Sequence, residues 1–370
     1  MVISFRNNER ERERERERVY GTAGRDPFLD LLKGIGILGV VAGHCGVFGN
    51  FFYVFHIPLF FFLSGITYRD SSSLPFRCWL WPELKKLLRR LWLPFVLFNG
   101  LFLLGHNLFF RLGWYSSSLS FREYPERIFR ILTFGGGEQL LGALWFLIVL
   151  WELSLLFRLL LTGISFLPRQ FRLPLLLLLI LLGCYVGART TLPRSFHRTL
   201  YFLPFYSSGF LLRHWLRSFL TSHSPQVLLF LFLAFLLPVG AATYIHLSYE
   251  DLSLFPYSLL SAFGGIGLCL VGGQLLLSFP RILPCLTFCG RYSFWVMALH
   301  FVGLKLFAAL LYGAGGLSRE GLAAFPIPAD LSFLCRLGFL LAGVLVSLSW
   351  GVLFRTIVLC SSPSTSSTPH

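Results

Sequence analysis

From residue 27 onward the chain alternates long apolar stretches with short gaps that are charged or punctuated by glycine and proline. Runs such as Leu173 to Leu182 and Val227 to Leu237 extend or merge into stretches near the roughly 20 residues a helix needs to cross about 30 Å of hydrocarbon. The pattern predicts about ten spans, near residues 27–47, 51–68, 91–111, 139–160, 173–188, 199–216, 226–246, 256–278, 293–313 and 331–355. A transmembrane barrel would instead alternate apolar and polar residues in segments of about ten. Continuous runs of Leu and Phe contradict that, so the expected fold is all-α, a polytopic transmembrane helical bundle. There is no internal repeat and no pair of matching interrupted helices in two halves, the sequence pointer for many secondary transporters.

Composition sharpens this picture. Of 370 residues, 55% are hydrophobic and 13% charged, against roughly 25% charged in a soluble domain, and the mean hydropathy is +0.69. The formal net charge of +15 clusters between the apolar segments, as positive-inside topology and anionic headgroups produce. No stripe of alternating basic and aromatic residues accompanies it, so a lipid bilayer and not nucleic acid is the expected partner. Arg6, Arg10, Arg12, Arg14, Arg16, Arg18 and Arg25 precede the first span, and Arg69, Arg77, Lys85, Lys86, Arg89 and Arg90 follow the second. Both groups belong in the cytoplasm, which gives an N-in, C-in expectation in a plasma (inner) membrane. Glu250 and Asp251, with no basic residue beside them, face outward. Arg122, Arg127 and Arg130 resist this rule, because they fall in the outer gap after the third span.

The first 26 residues hold a strict Glu-Arg alternation from Glu9 to Arg18 where a signal peptide would have its apolar core. On a helix that alternation sets opposite charges at i,i+3 and like charges at i,i+4, which cancel, so residues 1–26 read as a disordered charged tail. Residues 27–355 form the membrane domain, and residues 356–370, rich in Ser, Thr and Pro, form a second tail. The eight cysteines are scattered without metal-ligand spacing. They read as small packing residues, and no metal is expected.

The chemistry is concentrated between Asp30 and Gly65. The first span, FLDLLKGIGILGVVAGHCGVF, carries Asp30, Lys33 and His44 in an otherwise apolar helix. A charged group at the bilayer centre costs on the order of 2.5–3.5 kcal/mol, so such residues face a cavity or a partner. At about 100° per residue, Asp30, Lys33, Ile37, Val40 and His44 share one face, with Lys33 and His44 about 16 Å apart. The bland alternative is an interfacial Asp30–Lys33 ion pair and a hydrogen-bonded packing histidine. The second span, FFYVFHIPLFFFLSG, places His56 two residues before Pro58, a proline expected to free the Val54 carbonyl and open the helix. With a tight turn between the spans, His44 and His56 share one outer-half pocket. Ser64-Gly65 reads as a close helix contact, not a nucleophile.

These residues resemble the family-3 integral-membrane acyltransferases. The resembling run is Asp30, Lys33-Gly34, Gly43-His44, Phe55-His56-x-Pro58, Phe60 to Phe62 and Ser64-Gly65. The fucose-4-O-acetylase-like branch looks most similar. Many members of the wider family have Arg, ten residues, then His; here Lys33 fills the basic position, a point charge that cannot make an arginine's bidentate contacts. Ile57 stands where methionine is usual. Weaker matches follow at Leu144 to Leu147 with Trp145, at Phe202 to Arg213 with Gly209, and at Gly290, Ser293 and His300.

The resemblance implies transfer of an acyl group, with acetyl from acetyl-CoA expected, to a hydroxyl of a sugar or cell-envelope glycan. It gives His44 the role of general base or transient acyl carrier and has His56 orient it or the substrate. Lys33, positioned by Asp30, would attract the phosphates or pantetheine end of acyl-CoA. Acyl-CoA enters as a donor co-substrate, with no resident cofactor. Trp145 and Glu138 lie near the expected outer mouth, as sugar-stacking and hydroxyl-binding groups or equally as interfacial belt and solvated loop. His300 is assigned to the substrate site on the family match. The competing function is a transporter or flippase for a sugar, a lipid-linked glycan or a small anion, which explains buried charge equally well.

Overall fold

The structure is a computed structural model that describes residues 26–69, 76–246 and 254–361. The charged tail before residue 26, the Glu250–Asp251 gap and the chain end beyond residue 361 lie outside the described residues. Among the described residues every regular element is helical. In chain order these are α1 (Pro27–His44), α2 (His56–Ile66), α3 (Phe76–Leu87), α4 (Leu93–Leu104), α5 (His106–Arg111), α6 (Tyr124–Leu132), α7 (Trp145–Ser165) and α8 (Arg169–Arg189). They continue as α9 (Phe196–Ser222), α10 (Pro225–Tyr244), α11 (Tyr257–Leu276), α12 (Leu283–Arg291), α13 (Ser293–Gly313), α14 (Arg319–Ala323) and α15 (Phe333–Ser361).

Among the described residues, eight helical stretches are long and apolar enough to cross a membrane. Two further expected spans coincide with α2, only 11 residues long, and α9, of 27 residues. The outer faces are as apolar as the interior: Leu178 and Leu181 on α8 and Phe230 and Leu237 on α10 are exposed, Leu237 to 74%. A surface of that kind is suited to lipid, because so much contiguous apolar side chain is unfavourable in water. The protein is an integral membrane protein.

Close packing is set by paired glycines. α12 lies along α1, and a Cβ built on Gly34 would stand 2.0 Å from the Leu286 carbonyl oxygen, while one on Gly290 would stand 1.7 Å from that of Asp30. α2 lies along α9 in the same manner, with Gly65 against the Tyr206 carbonyl at 1.9 Å and Gly209 against that of Phe62 at 2.0 Å. Small residues that let backbones touch are the usual means of helix association in lipid. Ser64 donates its hydroxyl hydrogen to the Phe60 carbonyl at 2.7 Å, which accounts for it within its own helix. α13 packs along α15, and α10 along α11.

Three expectations about element boundaries are corrected. The second span is not one helix from residue 51: a 3-10 turn, Phe52–Val54, precedes α2, and Pro58 falls in the first turn of α2. First-turn amides have no intrahelical acceptor, so the proline there opens nothing. The third span begins earlier than residue 91, because α3 runs into α4 through a π-turn, Leu88–Trp92, that includes Arg89 and Arg90. Their long side chains reach outward from a helix whose apolar face is still packed. At the chain's other end, α15 continues through residues 356–361, which were expected to belong to a tail.

Candidate active site

α1 ends at His44 with a tight reversal. The Cys45 amide donates to the Val41 carbonyl at 3.0 Å, and the next residue, Gly46, has φ +63°, a left-handed conformation that glycine takes without penalty. A Cβ there would also stand 2.3 Å from Arg336 Nη1, the group that donates to the Cys45 carbonyl at 3.2 Å. Arg336 thereby fastens the turn to α15. The chain returns through the 3-10 turn Phe52–Val54, which sets Tyr53 beside His44 and starts α2 at His56.

Three histidines meet here. His44 Nδ1 and the Tyr53 hydroxyl are hydrogen-bonded at 2.9 Å. His56 is buried, and its Nδ1–H donates to the Phe52 carbonyl at 2.6 Å. His300, from the second turn of α13, stacks on the His44 ring with centroids 5.2 Å apart and planes 18° off parallel. Its Nδ1–H donates to the Val296 carbonyl at 2.8 Å. A carbonyl only accepts, so in the neutral imidazoles of His56 and His300 the lone pair lies on Nε2. The buried Nε2 of His300 has no hydrogen-bond partner among the described residues.

A cavity of about 270 Å³ lies against this cluster, walled on α1 by Ile37, Val40 and His44. That is the face expected from helical phase, and its lining stops one turn above Lys33. Tyr53, His56 and Phe60 close one side, and Met297, Phe301 and Phe325 another. A second cavity of about 270 Å³ shares Gly142 and Trp145 with the first, so the two adjoin at the indole. Each is close to the lower end of the roughly 300–1,000 Å³ typical of small-molecule pockets.

The other expected site residues are distributed around these cavities. Trp145 lines both, with the Arg198 guanidinium 4.9 Å over its ring. His300 is fully buried behind His44, and its neighbours Met297 and Phe301 face the cavity in its stead. Lys33 is half-buried. Asp30 is buried, with Oδ2 3.7 Å from Arg291 Nε. Among the described residues, no three His, Cys, Asp or Glu side chains converge as a metal site.

Glu138 is not in a solvated loop. It is 3% exposed, lines the second cavity, and takes a 2.8 Å hydrogen bond from His106 Nδ1. Its own amide donates to Asn99 Oδ1 at 2.7 Å. Burial, together with the nearby Glu138 carboxylate, pushes the Tyr115 phenol's pKa well above its ordinary value. The sequence gives no local signal for the His106–Glu138 pair, because the two residues lie 32 positions apart. His106→Ala would strand a buried carboxylate, so we expect a loss of about 3 kcal/mol, read as a drop in thermal midpoint that His106→Gln partly restores.

A buried lysine was also missed. Lys305, 1% exposed on α13, donates to the Leu322 carbonyl at 2.8 Å and the Ala324 carbonyl at 2.6 Å. It ties down the segment leading to Phe325, whose ring packs on Phe301 at 4.7 Å and walls the histidine cavity. An apolar-run reading carries no signal for such a tether beyond the lone charge itself.

Residues 26–356 match the acyltransferase-domain family known as acyltransferase family 3. No curated protein and no solved structure matches the chain.

Proposed function

This chain belongs to the family 3 membrane acyltransferases, and we propose that it carries an acyl group, acetyl first among candidates, from acyl-CoA to a hydroxyl of a sugar or cell-envelope glycan. The observation that carries this reading is the meeting of His44, Tyr53 and His56 on one cavity wall, inside a chain whose family already fixes the reaction type. A fucose-4-O-acetylase-like specificity is the branch the sequence favours.

In this reading His44 Nδ1–H donates to the Tyr53 oxygen, which leaves Nε2 unprotonated as the general base. Nε2 takes the proton of the acceptor hydroxyl while its oxygen attacks the thioester carbonyl carbon. The new C–O ester bond forms, the C–S bond breaks, and the proton passes from His44 to the departing CoA sulfur. His56, whose ring is fixed by the bond from Nδ1 to the Phe52 carbonyl, orients His44 or the acceptor. Lys33, eleven residues before His44 on the cavity's own face, attracts the acyl-CoA phosphates or pantetheine end from the cytoplasmic side in the N-in orientation.

The test is transfer of labelled acetyl from acetyl-CoA by the purified full chain, with and without envelope glycans from a strain lacking it. Label appearing on a glycan hydroxyl supports the reading. Movement of an unmodified solute with no dependence on acetyl-CoA would overturn it in favour of transport.

A further inference from the structure

Arg122, Arg127 and Arg130 sit in a gap that the positive-inside rule assigns to the outer face, and two of them line cavities. A cavity walled by Arg127 and Arg130 shares Gly136, Gly137 and Glu138 with the second cavity described above, which is itself walled by Arg194 and Arg198. Four arginines therefore line two cavities that share one short glycine-rich segment, residues 136–138, next to the indole that also faces the histidine cavity. The carboxylate lining this space, Glu138, is hydrogen-bonded to His106. The ion pair of Arg130 with Glu126 is long and exposed, at 3.8 Å, of a kind worth little. Guanidiniums are the side chains best matched to carboxylate and phosphate oxygens, and a tryptophan face suits a sugar ring.

We propose that this vestibule binds the anionic group of a negatively charged acceptor, a sugar bearing a carboxylate or a phosphate, and presents its hydroxyl past Trp145 to the histidine cavity. The arginines break the topology rule because they serve the substrate. The inference rests on the proposed acyl transfer only in naming the occupant as the acceptor. Arg194 and Arg198 hold the anion at the inner end, where Arg198 also lies over Trp145, and Arg127 and Arg130 draw it in.

The test reads binding without turnover. Thermal midpoints of the full chain in detergent are measured with glucuronate, glucose 6-phosphate, glucose and CoA, each alone. The two anionic sugars should bind at least about tenfold more tightly than glucose, the scale of one charge-assisted contact. In Arg194→Ala/Arg198→Ala that preference should vanish while the CoA shift persists. Arg122→Ala removes the same kind of charge from the same loop at a residue that lines neither of these two cavities, and should keep the preference. Equal binding of glucose and the anionic sugars overturns the proposal. So does loss of the CoA shift with the sugar preference retained, which would assign the guanidiniums to donor phosphates. Failure of acetyl transfer with the anion preference intact would overturn the functional reading and leave the anion site standing.

Discussion

His44→Ala is expected to lower acetyl transfer by about 10²- to 10⁴-fold, the usual contribution of a positioned general base. The loss should appear in kcat, with the KM for acetyl-CoA little changed, because the donor contact is assigned to Lys33 about 16 Å along the helix. Folding should be spared. His44 is only half-buried, it ends α1 without lying between close-packed backbones, and alanine is the better helix former. A thermal midpoint near that of the unaltered protein, with no transfer, is the expected pair of results; normal transfer by a stably expressed variant would sink the assignment. Tyr53→Phe removes only the oxygen that holds the imidazole tautomer, at a loss of roughly one hydrogen bond, about tenfold or less. The double variant should then be no slower than His44→Ala alone, since the tyrosine acts through the histidine. Acyl carriage and base catalysis separate in the absence of acceptor: a carrier would show acetyl bound at His44 after mixing with acetyl-CoA, and a base would not.

What the sequence could reveal follows from how local each contact is. Helical phase alone put Ile37, Val40 and His44 on one face, and those three residues wall the cavity. The period of a helix survives any tertiary environment that keeps it helical. The short uncharged turn after His44 likewise implied that the second span returns at once, and Tyr53 and His56 do lie beside His44. Contacts between distant parts of the chain left no such trace. The stacking of His300 on His44 spans 256 positions, and the His106–Glu138 bond spans 32. Both depend on which helices neighbour one another, and uniformly apolar helices carry little phase information to say so. Charge misled in one respect. Lys85, Lys86, Arg89 and Arg90 read as a loop, yet they ride on α3 and the π-turn after it, because a long basic side chain tolerates a helical backbone at the membrane edge.

Gly34→Ala is the other substitution with a large expected effect, and it acts through backbone alone. The added Cβ would lie 2.0 Å from the Leu286 carbonyl oxygen, well inside the roughly 3.5–4.0 Å optimum for non-bonded contact. That oxygen belongs to helical backbone and has no rotamer with which to retreat, so α12 must move off α1 by more than about 1 Å. Alanine's helix propensity returns at most about 1 kcal/mol, against about 1–3 kcal/mol or more for overpacking. Function should suffer further. α12 leads through Tyr292 directly into α13, which brings His300 onto His44 and sets Met297 and Phe301 in the cavity wall. Displacing α12 therefore opens the histidine cluster from behind. Gly36→Ala, on the same helix, is the comparison: its Cβ meets the tip of the Phe60 ring at 3.1 Å and Leu59 Cδ2 at 3.2 Å, side-chain atoms that can yield. Thermal midpoint and acetyl transfer should both fall sharply in Gly34→Ala and modestly in Gly36→Ala. Matching losses in the two variants would mean that the approach of α12 to α1 does not position the site.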